Sequence, residues 1–321
     1  MNILVIGGAG YIGSHVVLSL RERGFRPQVF DNLSTGTQEN LAPDIPLIIG
    51  DILDTEALTK ALTGIDVVVH LAAKKAVGES MIYPEQYARN NITGALNVLN
   101  VAAQTGVKHI VFSSSAAVYG MPETPVLTEQ CPPNPINFYG FTKLEIERCL
   151  SWYDRLKGIT FVALRYFNAV GYDPQGRIHG LEKNPQNLLP IVMETALGYR
   201  PCMHIFGNDY PTPDGTCIRD YVHVSDLANA HVRAIDYLTN GGISQVLNLG
   251  TGRGISVLEM ITAARRITGC PIPADFAPRR AGDPAILTAD STAAHTLLSW
   301  TPALSDPDTL IQTTWQAYRN Q

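Results

Sequence analysis

Two side chains four residues apart, Tyr139 and Lys143, carry the most direct chemical signal in this 321-residue chain. On a helix that spacing sets them on one face, one turn apart. An ammonium beside a phenol favours the phenolate, lowering a pKa that starts near ~10. A phenolate near neutral pH is a general base that takes a proton from a sugar or steroid hydroxyl. Upstream, three hydroxyl residues, Ser113-Ser114-Ser115, close the apolar run His109-Ile-Val-Phe112. Taken alone, the Tyr–Lys pair fits an exposed helix contact equally well, so the elements that position it decide its meaning.

Those elements begin at the N-terminus. Residues 2–6 read as a short buried strand, followed by Gly7-Gly8-Ala9-Gly10-Tyr11-Ile12-Gly13 and a helix through Val16, Leu18 and Leu20. Glycines there permit a tight turn and let a pyrophosphate approach backbone N–H groups at a helix N-terminus. An ordinary strand–helix turn is the plainer reading, and the placement after a first strand favours the dinucleotide one. Pro27-Gln-Val-Phe30 is a second strand, closing on Asp31-Asn32. Asp31 lies 18 residues after Gly13, where a carboxylate accepts from a ribose 2′-hydroxyl and repels a 2′-phosphate, favouring NAD over NADP. It also fits a turn residue capping the loop to Gly36. Asp51, ending the strand Pro46–Ile49, reads as an acceptor from an adenine amino group or as a turn cap.

Further apolar runs continue the alternation: strands at Asp66–His70, Lys108–Ser113 and Ile159–Arg165, with helices at Asp54–Leu62, Glu85–Gln104 and from Tyr139 to Gly158. Strand–helix alternation of this kind predicts an α/β, Rossmann-type, doubly wound parallel sheet. Ligands of such a sheet lie at the C-terminal strand ends. That edge collects the glycine loop, Asp31, Asp51, Ala72-Ala73 and Ser113–Ser115.

After Asn168 the texture changes to loops rich in Gly, Pro, Asn and Asp. Helix patterns return at Leu188–Leu197 and from Ser225 to Leu238, a strand at Gln245–Leu249, and a capping box at Ser256–Glu259. The organisation expected is a first domain over 1–168, with 219–250 partly returning to it. A smaller, partly interleaved substrate lobe over 169–321 would cover a ligand.

Composition narrows the partners. Apolar residues are 45% and charged residues 17%, and the net charge is −5 with no basic run, which argues against nucleic acid. The five cysteines, Cys131, Cys149, Cys202, Cys217 and Cys270, are scattered, fitting reduced thiols better than a disulfide frame or a zinc site. The eight histidines lack metal-ligand spacing, so no metal is expected, and His70 reads as a packed residue. No apolar run reaches the length of a signal or membrane segment, and a cytoplasmic location is the expectation.

Together these motifs resemble the extended short-chain dehydrogenase/reductase family, over nearly the whole chain. The resemblance rests on Gly7-x-x-Gly10-x-x-Gly13, Asp31-Asn32, Asp51-Ile52, the Ser115–Tyr139–Lys143 trio and Val118-Tyr119-Gly120. Segments similar to those of the UDP-hexose 4-epimerases within that family are more specific. They are Lys75-Ala-Val-Gly-Glu-Ser80, Arg165-Tyr-Phe-Asn168, Asn187-Leu-Leu-Pro190, the run Ile205–Thr216, Arg219-Asp-Tyr-Val-His223 and Ala277-Pro-Arg-Arg-Ala-Gly-Asp283.

The resemblance implies an NAD-dependent 4-epimerase that interconverts UDP-glucose and UDP-galactose through a transient 4-keto sugar. It makes Tyr139 the acid/base and gives Ser115 a hydrogen bond to the reacting hydroxyl. Lys143 would lower the tyrosine pKa and bind the nicotinamide ribose. The implied NAD site comprises Gly7, Gly10, Tyr11, Ile12, Gly13, Asp31, Asn32, Leu33, Ser34, Thr35, Gly36, Asp51, Ile52, Leu71, Ala72, Ala73, Lys75, Asn90, Ser115, Tyr139, Lys143 and Phe167. The implied UDP-sugar site comprises Ser115, Tyr139, Asn168, Asn187, Leu188, His204, Ile205, Phe206, Arg219, Arg280, Asp283 and Leu287. Arg219 and Arg280 would meet the diphosphate with forked hydrogen bonds; singly, each also fits an ion pair with a neighbouring Asp. Relatives of this kind are commonly homodimers.

Three alternatives follow from particular positions. A 4,6-dehydratase needs an acid and a base after the hydroxyl residue, and Ala116-Ala117 transfer no protons. Leu287 occupies the position whose size governs room for an N-acetyl group, and its intermediate bulk leaves UDP-N-acetylhexosamines and UDP-pentoses as other substrates. A non-catalytic NAD-binding protein is opposed by the intact trio. Phe141, inside the Tyr-x-x-x-Lys motif where relatives carry polar or basic residues, is expected to alter packing only.

Overall fold

The computed structural model describes residues 1–182, 185–280 and 282–320. Ala281, inside the matched segment 277–283, lies outside the described residues. The strands in chain order are β1 Ile3–Ile6, β2 Pro27–Asp31, β3 Leu47–Ile49, β4 Val67–His70, β5 His109–Ser115, β6 Val126–Leu127 and β7 Thr160–Tyr166. They continue with β8 Asn168–Val170, β9 Met203–Phe206, β10 Ile218–His223, β11 Gln245–Leu249, β12 Gly254–Ser256, β13 Ala274–Ala277 and β14 Ile286–Ala289.

Seven of these make one sheet in the order β11-β7-β5-β4-β1-β2-β3, and every pairing in it is parallel. Its strands are apolar on both faces, as helices on both sides require. Ile3, Val5, Val29, Val67, Val69 and Leu164 face one layer with the helices Tyr11–Glu22 and Val224–Thr239. Leu4, Ile6, Phe30, Val68, Ile110 and Phe112 face the other, with Thr55–Leu62, Gly94–Thr105 and Phe138–Lys157. The strand order reverses between β1 and β4, so the crevice for a ligand opens there.

The second half builds a five-stranded sheet, β12-β10-β14-β6 with β8 beside β10. It borrows β6 from the first half, while the helix Val224–Thr239 and β11 return to the large sheet. A two-stranded sheet of β9 and β13 flanks it.

One expected helix is not uniform. Instead of a single run over Glu85–Gln104, the chain forms Pro84–Tyr87, a π turn over Ala88–Thr93 and then Gly94–Thr105. The wide turn carries Asn91, whose amide accepts from Lys74 N at 2.8 Å and donates to Lys74 O at 2.9 Å and Thr142 Oγ1 at 3.2 Å. A helix laid close against a partner follows: a Cβ at Gly94 would stand 2.5 Å from Ile52 Cδ1. Such π turns are frequent at functional sites.

Candidate active site

The glycine loop is built from backbone on backbone. Gly7 has φ +85°, and a Cβ there would lie 2.6 Å from Ala72 N. A Cβ on Gly13 would lie 2.0 Å from Gly7 O. Gly10 caps the helix Tyr11–Glu22 without any side-chain hydrogen bond, and the first turn holds no acidic residue. This helix start therefore offers unclaimed N–H groups to an anion. Asp31, buried at the end of β2, accepts from Ala9 N at 2.9 Å and Leu33 N at 2.8 Å. Its carboxylate thereby ties the loop to the second strand while keeping further lone pairs. Leu33 takes the left-handed conformation, φ +57°. Asp51 accepts from Leu53 N at 2.9 Å and from Asn32 Nδ2 at 2.9 Å, so it caps its turn and fixes Asn32.

Across the crevice lie Ser115, ending β5, and the helix Phe138–Lys157. Asn137 caps that helix on Gly140 N at 2.8 Å, and Tyr139 N donates to Ser80 Oγ at 3.1 Å. Gly140 is there for contact: a Cβ would lie 2.3 Å from Ala117 O. The short turn Ala116–Tyr119 that follows β5 carries Val118-Tyr119.

The electrostatics correct one expectation. Burial pushes the Tyr139 phenol up to about 12, opposed by a hydrogen bond with Ser115. Burial pushes Lys143 down to about 7, opposed by the charge of Glu147. Lys143 Nζ donates to Ser113 O at 2.6 Å and lies 5.8 Å from the Tyr139 ring centroid. Among the protein's own groups the lysine does not depress the tyrosine, because loss of hydration outweighs it for both. His70, ending β4 and stacked 5.8 Å from Phe112, is held neutral by burial, down to about 3.

The other residues expected at the cofactor make local contacts of their own. Lys75 forms an ion pair with Glu182 and stands 5.9 Å from the Tyr11 ring centroid. Tyr11 donates from its hydroxyl to Gly171 O at 2.5 Å. Asn90 donates to Asn91 Oδ1 at 3.1 Å. Phe167 is buried with Ala116 and Leu144.

Among the residues expected to hold the substrate, Arg219 Nη2 and Arg280 Nε converge on the Asp283 carboxylate at 3.4 and 3.0 Å. The Arg280 guanidinium also covers the Phe206 ring at 4.6 Å. His204 and Phe206 form the exposed side of β9, whose Ile205 is buried. Asn187 caps the helix Leu188–Ala196 without using its side chain. Asn168 Nδ2 donates to Asp220 O at 2.9 Å. Leu287, half-buried, packs against the cluster that holds Ala116 and Phe167.

Two buried carboxylates, Glu147 and Asp220, had no role in the sequence reading. Glu147 continues the four-residue step from Tyr139 and Lys143, and that step was the signal. Asp220, fully buried, accepts from Thr251 N and Oγ1, Gly252 N and Ala289 N at 2.7–3.1 Å. Among the described residues, no cluster of three or more His, Cys, Asp or Glu is arranged for a metal ion, and no helix is long and apolar enough to cross a membrane.

Comparison with known proteins agrees with this geometry. Residues 3–250 match the model of the NAD dependent epimerase/dehydratase family. A UDP-glucose 4-epimerase of Halalkalibacterium halodurans is 48% identical over 99% of this chain and 96% of its own length. The solved UDP-glucose 4-epimerase of Brucella ovis, in complex with NAD, superposes with a TM-score of 0.96 at 43% identity, covering 99% of this chain and 98% of that one. That of Bifidobacterium longum, in complex with NAD+ and UDP, gives a TM-score of 0.94 at 37% identity, covering 100% and 99%. With its fold, its glycine loop and its full length matched in this way, the chain belongs to the NAD-dependent epimerase/dehydratase family.

Proposed function

We propose that this chain interconverts UDP-glucose and UDP-galactose by NAD-dependent epimerisation at carbon 4, with Tyr139 as the acid/base. The observation that carries the reading is the placement of Ser115, at the end of β5, and Tyr139, in the first turn of the helix Phe138–Lys157, both half-buried across the crevice from a bare glycine loop, with Ser115 bearing on the Tyr139 phenol. The loop and Asp31 fit NAD: the helix start leaves N–H groups for a diphosphate, and the carboxylate has lone pairs left for a ribose hydroxyl. When bound, NAD supplies a hydride acceptor and donor and, oxidised, a positive charge that favours the phenolate.

The chain's own residues do the rest. Tyr139 Oη takes the proton from the sugar 4-hydroxyl and returns it after the 4-keto sugar has turned its other face. Ser115 Oγ orients that hydroxyl. Lys143 holds the strand end at Ser113 and contributes its ammonium. Arg219, Arg280 and Asp283 grip the UDP, while Asn168, Asn187, Leu188 and His204–Phe206 complete the wall around it. No protein acid/base pair follows Ser115, since Ala116 and Ala117 occupy those places, so water is not eliminated from the keto sugar.

We also propose a cytoplasmic homodimer. Free thiols at all five cysteines support a reducing location. The helix Phe138–Lys157 presents Phe141, Trp152 and Leu156 to solvent, 39%, 58% and 70% exposed. Their spacing of 11 and 4 places them on one helical face, suited to a second copy. Phe141 also packs 5.4 Å from Phe138, consistent with a packing role.

The test is to incubate the purified protein with UDP-galactose and no added NAD. UDP-glucose should form without free NADH accumulating; no conversion even with NAD supplied would overturn the assignment. Light scattering tests the dimer, which a monomeric mass would exclude.

A further inference from the structure

Tyr139, Lys143 and Glu147 recur every four residues along the helix Phe138–Lys157, and the third has no part in the proton transfer. Glu147 is 4% exposed. Its Oε1 accepts from Ser114 Oγ at 2.5 Å and Arg165 Nε at 3.0 Å, and its Oε2 from Arg165 Nη2 at 2.6 Å. Arg165, from β7, also donates to the Tyr119 hydroxyl at 2.8 Å, which donates to Asn248 Oδ1 at 2.7 Å. Asn248 N in turn donates to Glu129 at 2.7 Å.

Stability alone is a poor reason for this pair. A buried Arg–Glu pair exchanged for apolar side chains of equal volume is often no less stable. Its location is more telling. Ser114 is the residue before Ser115, Lys143 bonds Ser113 on the other side, and Glu147 follows Lys143 by one turn.

We propose that Glu147 is a positioning residue of the epimerisation: its charge, fixed by Arg165, favours the protonated form of Lys143 one turn away, and its bond to Ser114 sets the strand end that presents Ser115. This rests on the roles given above to Ser115, Tyr139 and Lys143. Lys143 is 3% exposed, and an ammonium so poorly hydrated needs a fixed counter-charge. Glu147 is the charge that raises its proton affinity.

The other titratable groups around it are Tyr139 on its own helix and His70 at the end of β4, which is neutral. Arg165 and Tyr166 come from β7. Tyr119, in the turn after β5, faces Arg165. Glu79 and Tyr87, bonded to each other at 2.7 Å, come from the segments packed on the helix N-terminus. The π turn adds Arg89, which is exposed, and Gly94–Thr105 has no charged residue.

The experiment compares pH profiles of kcat/KM for UDP-galactose in the wild type, Tyr139→Phe, Glu147→Gln and Glu147→Asp, each as purified with its cofactor. On the role proposed for Lys143 with NAD bound, activity falls as the ammonium is lost, and that loss sets the alkaline limb. Glu147→Gln should move that limb down by about one pH unit, and Glu147→Asp, which keeps the charge, should leave it in place. A purely structural role would lower kcat or stability without moving the limb.

An unmoved limb in Glu147→Gln, or an equal movement in Glu147→Asp, overturns the inference, provided that Tyr139→Phe is inactive. An active Tyr139→Phe instead overturns the catalytic assignment on which it rests. If Glu147→Gln does not fold, the double variant E147Q/R165Q removes the buried Arg165 charge that the single variant strands, and must show the same downward limb. A wild-type limb in the double variant overturns the inference equally.

Discussion

The Lys143 ammonium stands 5.8 Å from the centroid of the Tyr139 ring and gives its 2.6 Å hydrogen bond to the Ser113 carbonyl. The lysine thus secures the strand end rather than the phenol oxygen. Ser115 is the protein group that opposes the rise of the phenol, which burial still leaves at about 12.

Ser115→Ala should therefore act on the tyrosine as well as on substrate orientation. Losing that hydrogen bond raises the phenol pKa, so the acid limb of kcat/KM moves upward. The loss of one oriented donor in the transition state should lower kcat by about 10²–10³-fold. Steady-state rates with UDP-galactose between pH 6 and 10 read both effects. A wild-type acid limb would remove Ser115 from control of the proton.

Lys143 also makes stability depend on pH, with a definite sign. Its folded pKa of about 7 lies below the ordinary 10.5. Between those values the unfolded chain holds a proton that the folded chain does not. The stability from this residue therefore rises with pH through the window and is lost as pH falls through it. Lys143→Met removes a buried ammonium and leaves Glu147 bonded to Arg165. Its Tm should exceed the wild-type value by about 2–6 °C at pH 7 and converge on it above pH 10, while activity falls. Thermal unfolding at several pH values checks this, and a lower Tm at pH 7 would contradict it.

Much of this was legible in the chain. Apolar runs such as Ile3–Ile6 and Val67–His70 read as buried parallel strands because both faces are covered. The glycine loop read as a ligand loop because its spacing fixes a backbone turn. What escaped depends on three-dimensional neighbours. Nothing local marks the π turn at Ala88–Thr93, which forms where Asn91 reaches the Lys74 backbone and Thr142. The Tyr139 pKa expectation failed because the Tyr–Lys spacing carries no information about burial. The pairing of β6 with β14 joins segments 162 residues apart in register, Val126 with Thr288, which no window along the chain reveals.

Asp220 carries the joint between the two halves. Its carboxylate holds the 251–252 turn and Ala289 N of β14, and its neighbour on β10 is Arg219. Asp220→Ala leaves three backbone N–H groups without their acceptor, that of Ala289 fully buried. A loss of about 3–5 kcal/mol in stability follows, with a raised KM for UDP-galactose as Arg219 loses its frame. Urea unfolding and steady-state kinetics measure the two. Stability within 1 kcal/mol of wild type, an about fivefold change in the folding equilibrium or less, would refute the first.

Arg219 itself is nearly enclosed, its side chain 11% exposed, whereas the Arg280 side chain is 58% exposed. A charge-assisted bond is worth more in the drier place, about 1.5–3 kcal/mol. Arg219→Ala should weaken UDP binding by about 10–100-fold, and Arg280→Ala by less. Calorimetric titration of each variant with UDP ranks them; the reverse order would place the main diphosphate grip on Arg280.

Leu287 lies opposite Arg219 in the register of β10 with β14 and packs against the cluster of Ala116 and Phe167. It adjoins both the arginine proposed for the diphosphate and the cluster holding the turn that follows Ser115, so on the proposed reading its bulk would limit the space for the hexose. Leu287→Ala should raise kcat/KM for UDP-N-acetylgalactosamine relative to UDP-galactose by about 10-fold, and Leu287→Tyr should lower it by a similar factor. One misplaced group in an apolar pocket is worth about 1–3 kcal/mol. Competition of the two sugars for each variant gives the ratio directly. A ratio that stays constant across Ala, Leu and Tyr would mean that the acetyl group is accommodated elsewhere, and that Leu287 packs the turn without selecting the sugar.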